Sequence, residues 1–263
     1  MMPRQLVVSR HGQAAGNLAW RMAQAGDIAL LEELRDRPAE EAPLTGVGME
    51  QMVHLREWLR KEQFVFDRKY VSPLRRTKQS SRVLKLGRNW VESEYLTEQS
   101  LGIMRYMTPG GRQEYLDSLR GEPHIRDPYN FAPVDGESFA YLATNRVVPF
   151  LEDLERDCSG NENVFVMGHS GTNKMIDCCI RQWTPKEFVA HYVHGDNKIL
   201  NGMVQHYTRI DPATGEESET LDWVRTCCPW VDPEPTEWQK IERGSQSPAW
   251  LSFIRELLAL PAA

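Results

Sequence analysis

The chain has 263 residues, of which 41% are hydrophobic and 26% charged, and its formal net charge is −6. This balance is typical of a globular protein and leaves no basic excess for binding nucleic acid, whose phosphate backbone is held by clustered Lys and Arg. Because no apolar run approaches the roughly 20 residues that a membrane-spanning helix needs, and no leader is apparent, we expect a cytoplasmic protein without a membrane partner.

Short apolar and β-branched runs alternate with helical patterns along the chain. Residues 164–167 are all apolar, which is typical of a strand buried on both faces. Strands alternating with helices predict an α/β fold with three layers, in which helices cover both faces of a mostly parallel central sheet. The predicted strands span residues 5–9, 69–72, 91–96, 163–167, 203–209 and 220–225.

Helices are predicted over residues 48–61, 74–86, 138–155 and 171–183. Ser138 can cap the third of these, and Pro149 should kink or split it because proline lacks the backbone N–H. We expect residues 1–263 to form one domain, with an insert at residues 102–136 and a C-terminal extension at residues 229–263. Apolar residues of this extension recur at helical spacing and should dock on the same chain, or else join two copies in a homodimer: Trp250, Phe253, Ile254, Leu257 and Leu258.

Two of the predicted strands lead into a histidine beside glycine. The first ends in Arg10-His11-Gly12-Gln13, with Asn17 four residues further on, and the fourth ends in Gly-His-Ser-Gly at residues 168–171. Ligands bind at the carboxyl edge of the sheet in open α/β folds, and glycine lets the backbone approach them closely. One Arg–His pair alone would be a structural feature of a strand end. Its repetition favours a ligand site.

Two further motifs follow predicted strands. Ser-Pro-Leu-Arg-Arg-Thr at residues 72–77 opens a helix, and the planar fork of an arginine suits phosphate. Glu98 follows the third strand, where a carboxyl group could protonate a leaving alkoxide. Taken singly, Arg75 and Arg76 would be surface charges and Glu98 a solvated carboxylate.

Together these motifs resemble the histidine phosphatase superfamily, the phosphoglycerate mutase-like group, over about residues 5–208. Members open with Arg-His-Gly and a following Asn. They continue with Thr-x-x-Gly, Ser-x-Leu-x-Arg-Thr, Leu-x-Glu-x-x-x-Gly and Gly-Glu-Ser, and end with a strand that leads into His. The chain matches these elements in order at residues 45–48, at Arg76 rather than Arg75, at Glu98, at residues 136–138 and at His169.

The resemblance implies a mechanism without metal or cofactor, in which His11 attacks phosphorus and becomes phosphohistidine. It implies that Glu98 is the general acid and His169 the second catalytic histidine. The implied phosphate ligands are Arg10, Gln13, Asn17, Arg76 and Ser170. Substrate choice should lie in the insert, whose candidates for contacting the leaving group are Arg105, Tyr106, Arg112 and Arg126.

The element around Glu98, Thr-Glu-Gln-Ser-Leu-Gly, differs from the Asn-Glu-Arg-His-Tyr-Gly-like element of the phosphoglycerate mutases proper. It is closer to that of the phosphatase branches, so we expect hydrolysis of a small-molecule phosphate monoester. Mutase-type phosphoryl transfer is the alternative. A non-catalytic protein that binds a phosphorylated partner, or scaffolds a complex, is disfavoured because the nucleophile, the arginines and the acid are all present.

Overall fold

The computed structural model describes residues 1–119 and 127–243, and within them the strands form a single sheet. The strands are β1 (Gln5–Arg10), β2 (Arg68–Val71), β3 (Val91–Glu92), β4 (Asn163–Gly168), β5 (Val204–Thr208), β6 (Trp223–Cys227) and β7 (Gln239–Lys240). Their order across the sheet is β3-β2-β4-β1-β5-β6-β7. The first four strands run parallel, and β5, β6 and β7 add an antiparallel side. The predicted α/β fold with a mostly parallel centre is confirmed.

Helices connect these strands and flank the sheet. They are α1 (Ala15–Gln24), α2 (Ala29–Glu33), α3 (Gly46–Lys61), α4 (Arg75–Leu84), α5 (Pro109–Ser118), α6 (Phe139–Leu142), α7 (Val148–Asp157), α8 (Ser170–Arg181) and α9 (Pro185–Phe188). In the described part of the chain, none of them has the length and apolar character needed to cross a bilayer.

The core lies on both faces of the sheet. Alternate residues of β1 divide between the two faces, since Leu6 and Val8 join one apolar cluster and Val7 joins the other. The first cluster is closed by α6, α7 and α8, and the second by α3 and α4. The side chains that α3 contributes, Met52, Leu55 and Leu59, are at most 1% exposed, and burying each one stabilises the fold by about 1.5–3 kcal/mol. The three predicted layers are therefore present.

The prediction of a strand over residues 91–96 is wrong beyond Glu92. Ser93 N still donates to Val71 O, but Glu94–Leu96 turn into a short 3-10 helix that buries Leu96 completely. Since β3 pairs with β2 alone, it has no second neighbour to keep it extended. Glu98 consequently follows this turn instead of a strand end. The last predicted strand is also displaced, because β6 begins at Trp223.

The third predicted helix does not split at Pro149, but a wider turn interrupts its α-helical geometry just before that residue. Ser138 caps its start, as predicted, by accepting a hydrogen bond from Tyr141 N at 3.0 Å. α6 then passes through a π-helical turn, Ala143–Val147, into α7, which carries Pro149 in its first turn. Proline cannot donate to the residue one turn earlier, and the wider turn accommodates its ring without breaking the helix.

The ends of the predicted insert lie together. Leu101 pairs with Gly136, and Ile103 N donates to Val134 O at 3.0 Å. Gly102 has a φ of +49°, and a Cβ there would lie 2.0 Å from Val134 O, so this closure requires glycine. The predicted helical stripe of the tail, at residues 250–258, and the candidate Arg126 lie outside the described residues.

Candidate active site

The two predicted histidines meet at the carboxyl ends of neighbouring strands. Arg10 at the end of β1 stands opposite Gly168 at the end of β4, and His11 N donates to Gly168 O at 3.1 Å. This register brings the imidazole of His11 to that of His169, with ring centroids 5.0 Å apart. Both side chains are almost fully buried, at 2% and 0% exposure. The sheet thus joins the first and last motifs of the sequence in one site.

The hydrogen bonds of His11 assign its tautomer. Its Nδ1 lies 2.6 Å from Gly12 O, which can only accept, so Nδ1 carries the proton. Its Nε2 lies 3.2 Å from Nε of Arg76, which can only donate, so Nε2 presents a lone pair. Burial, then the charges of Arg76 and Arg10, hold the pKa of His11 well below its usual value. The ring is therefore neutral at neutral pH, as a nucleophile must be.

His169 is oriented by a residue of the second motif. Its Nε2 lies 2.8 Å from Oγ of Ser72, which follows β2 and accepts a hydrogen bond from Leu74 N. Assigning the hydroxyl proton to the bond with Nε2 places the ring proton of His169 on Nδ1. That Nδ1 is buried without a hydrogen-bond partner among the described residues. Burial and the nearby charge of Arg76 lower the pKa of His169 well below its usual value, so Nδ1 is a neutral donor.

The two arginines of the second motif differ in position. Arg76, in the first turn of α4, contacts His11 and donates through Nη1 to Ala39 O at 2.9 Å, whereas Arg75 is exposed. Arg10 donates through Nη1 to Ile199 O at 2.6 Å, and its Nε is buried without a partner among the described residues. Burial lowers the pKa of both Arg10 and Arg76, that of Arg76 to about 10, which still leaves both cations charged at neutral pH.

The Thr-x-x-Gly element fits against the loop that follows β1. A Cβ on Gly12 would lie 2.2 Å from Gly48 O, and one on Gly48 would lie 2.1 Å from Gln13 O. Thr45 caps α3 by accepting from Gly48 N at 3.0 Å, and its Oγ1 lies 2.9 Å from Oε1 of Gln13. Gln13, a predicted phosphate ligand, therefore uses its side-chain oxygen to hold Thr45, and its backbone N–H donates to Gln51.

Asn17 is fixed by a residue that the sequence did not single out. Its Oδ1 accepts from Ala14 N at 3.0 Å and from Nδ2 of Asn201 at 3.3 Å, which leaves its Nδ2 as the donor end of the amide, without a partner among residues 1–119 and 127–243. Asn201 also donates to His11 O at 3.0 Å. Asn201 lies just before β5. In the sequence it is part of an Asn-Gly pair, which predicts a turn but gives no indication of a functional site.

The carboxylate of Glu98 lies over the start of α8. Its Oε2 accepts from Ser170 N at 3.1 Å, and its Oε1 accepts from Gly171 N at 2.9 Å and Gln99 N at 3.0 Å. A Cβ on Gly171 would lie 2.7 Å from Oε1, so a larger residue there would displace the carboxylate of Glu98 from this position. The negative charge of Glu98 raises the pKa values of Arg10 and Arg76 against the effect of burial. Ser170, a predicted phosphate ligand, uses its backbone N–H to hold Glu98.

The loop that carries Glu98 is held by Arg146, which the sequence did not identify. Arg146 lies in the π-helical turn and donates to Thr97 O at 2.9 Å and Glu98 O at 3.3 Å. It also pairs with Glu137 of the Gly-Glu-Ser element, whose Oε2 accepts from Ser100 N at 2.8 Å. Glu137 could be noticed in the sequence because it belongs to the Gly-Glu-Ser element. Arg146 belongs to no motif, so nothing in the sequence pointed to it.

The candidate residues of the insert lie at different places. The charge of Arg105 lowers the pKa of Arg76, and its Nη2 donates to Arg37 O at 3.2 Å. Arg112, on α5, stacks on Trp20 of α1. The side chain of Tyr106, like Arg126, lies outside what the structure describes.

Lys174 of α8 was not predicted. It is half-buried, and its pKa is lowered by burial and raised by the charge of Glu98.

Known proteins resemble this chain in sequence and fold. A 2,3-bisphosphoglycerate-dependent phosphoglycerate mutase of Parvibaculum lavamentivorans is 28% identical over 183 residues, covering 66% of this chain and 79% of its own. The mycobacterial glucosyl-3-phosphoglycerate phosphatase shares the fold with a TM-score of 0.57 at 21% identity, over 78% of this chain and 92% of its own. The α-ribazole phosphatase of Shigella flexneri does so with a TM-score of 0.59 at 17% identity, over 82% and 96%.

The family model that matches is that of the histidine phosphatase superfamily (branch 1), and it spans residues 6–206. This range contains every motif from Arg10 to His169 and most of the sheet. The chain belongs to the histidine phosphatase superfamily.

Proposed function

We propose that this protein is a phosphatase that hydrolyses a small-molecule phosphate monoester through a phosphohistidine at Nε2 of His11. The observation that carries the proposal is the state of that ring. Nδ1 is tied to Gly12 O at 2.6 Å, and the lone pair of Nε2 faces the guanidinium of Arg76 at 3.2 Å. A neutral imidazole that presents its lone pair to a phosphate-binding cation suits attack on phosphorus.

In the first step, Nε2 of His11 forms a bond to phosphorus while the bond from phosphorus to the ester oxygen breaks. The phosphoryl group takes the place beside Nε2 that Arg76 contacts, and Arg76 then donates to its oxygens. Glu98, in its protonated form, gives a proton to the leaving oxygen, so the alcohol departs neutral. The positive charge of the phosphorylated ring is stabilised by Gly12 O at Nδ1.

In the second step, water attacks phosphorus and the bond to Nε2 breaks. Glu98, now a carboxylate, accepts the proton of the water, and inorganic phosphate leaves. Free donors around His11 suit the charge that spreads over the phosphoryl oxygens in both steps. They are Nε of Arg10, Nδ2 of Asn17, Nη2 of Arg76 and, with the tautomer assigned above, Nδ1 of His169, and Nε of Arg76 joins them once the phosphoryl group occupies Nε2 of His11.

A mutase is the second candidate, because the curated relative from Parvibaculum lavamentivorans is a phosphoglycerate mutase. In that reaction a second hydroxyl, instead of water, collects the phosphoryl group from His11. The first step and the roles of the residues are the same, so the two candidates differ only in the acceptor.

The proposal is tested by comparing wild type with His11→Ala, using p-nitrophenyl phosphate and a panel of phosphosugars, nucleotides and phosphoglycerates. His54→Ala is the matched control, since His54 is exposed on α3. We expect wild type and the control to release phosphate, and His11→Ala to lose a factor of about a thousand or more. Mass spectrometry of enzyme quenched at alkaline pH should find one added phosphoryl group, on His11.

The outcomes separate the candidates. Isomerised product without free phosphate favours the mutase. Phosphate release that survives His11→Ala would overturn the proposed role of His11 as nucleophile. Absence of turnover by the wild-type protein on every member of the panel would overturn the proposal that it is an enzyme.

A further inference from the structure

The peptide unit that joins His11 to Gly12 is held at both of its edges. Its carbonyl oxygen, His11 O, accepts a hydrogen bond from Nδ2 of Asn201 at 3.0 Å. Its N–H, on Gly12, donates to Oγ of Ser80 at 3.2 Å. Because a peptide unit is planar, two hydrogen bonds from opposite edges fix the orientation of the whole unit.

The orientation of the Asn201 amide follows from the atoms that it meets. Oδ1 of Asn17 accepts from Ala14 N, and His11 O is a backbone carbonyl, so both atoms act as acceptors. Both face the same atom of Asn201, at 3.3 and 3.0 Å, and this atom is therefore the amide nitrogen Nδ2. Asn201 thus donates to the carbonyl of the nucleophile and to a proposed phosphate ligand.

The turn that carries Asn201 is tied to the end of β1. Met203 N donates to Leu200 O at 3.1 Å and closes the turn, in which Gly202 has a φ of +75°. Gly202 N donates to Arg10 O at 3.0 Å, and Arg10 N donates to Met203 O at 3.1 Å. The backbone of β1 therefore fixes the place from which the Asn201 side chain reaches the nucleophile.

Ser80 holds the other edge of the peptide unit from α4. Its side chain is fully buried, and its Oγ donates to Arg76 O at 2.8 Å, so the oxygen is left to accept from Gly12 N. Ser80 lies about one turn after Arg76 on this helix. Each holding residue is thus also linked to a proposed phosphate ligand, Asn201 to Asn17 and Ser80 to Arg76.

The orientation of this unit decides how the ring of His11 meets the next carbonyl. Gly12 O, which accepts from Nδ1 of His11 at 2.6 Å, belongs to the following peptide unit, whose N–H donates to Gln51 at 2.8 Å. Only the two dihedral angles of Gly12 separate the units, and glycine rotates about them at little cost. Glycine is nevertheless required, because a Cβ would lie 2.2 Å from Gly48 O. The restraint on the first unit must therefore come from its hydrogen bonds.

We propose that Asn201 and Ser80 are positioning residues, which hold the peptide unit after His11 and so keep its imidazole aligned for attack on phosphorus. The alignment depends on the hydrogen bond from Nδ1 to Gly12 O, which leaves Nε2 facing the phosphoryl group. If the peptide unit turns, this hydrogen bond is lost and the ring leaves the line of attack. The inference rests on the proposed function and deepens it, because it adds two residues that act through the nucleophile.

Two variants each remove one of the two hydrogen bonds, and each has a matched control. Asn201→Leu removes the amide with little change in size, and Ser80→Ala removes the hydroxyl. Asn197→Leu is the control for the first, because Asn197 is exposed and lies four residues earlier. Ser81→Ala is the control for the second, because Ser81 is the next residue on α4 and donates to Lys78 O at 2.9 Å.

The first measurement is made by NMR and needs no turnover. Buried, hydrogen-bonded imidazole N–H protons exchange slowly with water, and the signal of His11 Nδ1–H is assigned by its loss in His11→Asn. We expect this signal in wild type and both controls, and its loss or broadening in Asn201→Leu and Ser80→Ala. The ring N–H of His206, whose Nε2 lies 2.8 Å from Gln5 Oε1, should persist in all five proteins and separates a local change from general loosening.

The second measurement is the rate at which p-nitrophenyl phosphate phosphorylates His11 in a single turnover. At saturating substrate we expect this rate to fall about five- to a hundredfold in Asn201→Leu and Ser80→Ala, as when a hydrogen bond is removed and its partner left unsatisfied. The controls should change less than about threefold. The apparent dissociation constant should also change less than about threefold, because Asn17 keeps its hydrogen bond to Ala14 and the arginines keep their charge.

Asn201→Asp adds a test by rescue. The ionised carboxylate has the shape of the amide but can only accept, so it repels His11 O, whereas the protonated carboxyl can donate to that oxygen. The phosphorylation rate of Asn201→Asp relative to wild type should therefore rise as the pH falls from about 8 to about 5. The relative rate of Asn201→Leu, which has no proton to gain, should stay constant.

Retention of both the His11 signal and the phosphorylation rate in Asn201→Leu or in Ser80→Ala would overturn the proposal, since both hydrogen bonds are needed. Loss of the His206 signal together with that of His11 would reduce the two residues to a structural role. A relative rate of Asn201→Asp that does not rise at low pH would count against donation to His11 O. Failure of the proposed function is a different result, namely no phosphorylation of wild type, and the proton signals then decide the positioning on their own.

Discussion

At the scale of single residues, the charge state of His11 is set by its surroundings. Burial and the two arginines beside it act in one direction, towards the neutral ring, and only the hydrogen bond to Gly12 O acts against them. Two cations that would bind phosphate therefore also keep the nucleophile unprotonated before phosphate arrives.

We expect the imidazole of His11 to stay neutral well below the pH at which an ordinary histidine titrates. Histidine-selective NMR, with the resonance assigned by its loss in His11→Asn, should show a midpoint below 6.5. Arg76→Met should move this midpoint upward, because one of the two repelling charges is gone. A wild-type midpoint at or above 6.5, or one that Arg76→Met leaves unchanged, would contradict this account.

The sequence predicted the residues of this site that belong to short motifs, but not those that reach it from elsewhere. Arg76 was chosen over Arg75 by motif spacing, and of the two it is Arg76 that contacts His11. Arg146 and Asn201 lie far along the chain from the residues they hold, and a single Arg or Asn carries no local pattern. Their contacts exist only because the sheet brings distant segments together.

At the scale of elements, the π-helical turn between α6 and α7 positions the proposed acid. It carries Arg146, which binds the backbone of Thr97 and Glu98 and pairs with Glu137. Wide turns of this kind are frequent at functional sites. The sequence predicted a disturbance of this helix at Pro149, as a kink or a split, but not its form as a wider turn, because the local pattern does not report which turn the packing selects.

We expect Arg146→Met to impair catalysis most for substrates whose leaving oxygen needs a proton from Glu98. With alkyl phosphates, whose leaving oxygen needs protonation, we expect kcat/KM, which reports the phosphorylation step, to fall about ten- to a hundredfold, somewhat less than the roughly 10²- to 10⁴-fold typical of a general acid because Arg146 only positions Glu98. With p-nitrophenyl phosphate, a good leaving group, kcat/KM should change less than about threefold, although kcat can fall because Glu98 also activates the water of the second step. Glu98→Gln should show the same pattern, and Arg156→Met, an exposed arginine of α7, should show neither effect.

Equal losses on both substrate types in Arg146→Met would mean that Arg146 stabilises the fold without positioning Glu98. Equal losses in Glu98→Gln would count against the acid itself.

The first turn of α3 offers a matched pair of glycines. Gly48→Ala would place a Cβ 2.1 Å from Gln13 O, whereas a Cβ on Gly46 meets nothing within 4 Å. We expect Gly48→Ala to lower the free energy of unfolding by about 2 kcal/mol or more and to reduce turnover, because the loop carrying His11 must shift. Gly46→Ala should be neutral or stabilising by up to about 1 kcal/mol. Urea denaturation of both variants measures the difference, and similar losses in the two would refute the close approach.

At the scale of the whole molecule, buried neutral histidines tie stability to pH. The pKa values of His11, His169 and His206 are all lowered well below the usual value, with burial as the largest cause. In the unfolded chain these groups bind protons near pH 6.5, so below that pH the unfolded state holds more protons than the folded one. Each histidine then removes about 1.4 kcal/mol of stability per pH unit until its own lowered pKa is reached.

Unfolding by urea at pH 7.5, 6.5 and 5.5 should therefore show stability that falls as the pH drops below 6.5. His206→Gln removes one of the three groups at a distance from the proposed site, where His206 binds Gln5 and Arg225. Its stability should decline about one third less steeply than that of wild type over the same interval. A decline as steep as that of wild type would show that His206 is not among the groups responsible.

The layered architecture was open to prediction because it follows from local patterns. Apolar runs such as residues 164–167 mark strands buried on both faces, and amphipathic helices mark the layers that cover them. The antiparallel pairing of β5, β6 and β7 could not be predicted from local patterns, because the direction of a strand depends on where its connection returns to the sheet. The bounds of β3 and β6 were also predicted poorly, since β3 is shorter than predicted and β6 starts later. Both strands lie at or next to an edge of the sheet, where pairing constrains a strand less.

The place of β1 in the sheet has a consequence for the order in which the protein can be assembled. β1 leaves the ribosome before the other described strands of this sheet, yet its neighbours β4 and β5 are made from residues 163–168 and 204–208. β1, which bears Arg10, cannot pair until the residues of β4 and β5 have been synthesised. Contacts between segments so distant in sequence slow folding. A nascent chain that stops short of β5 would keep an apolar strand unpaired on one side. Such fragments should depend on chaperones and have no activity.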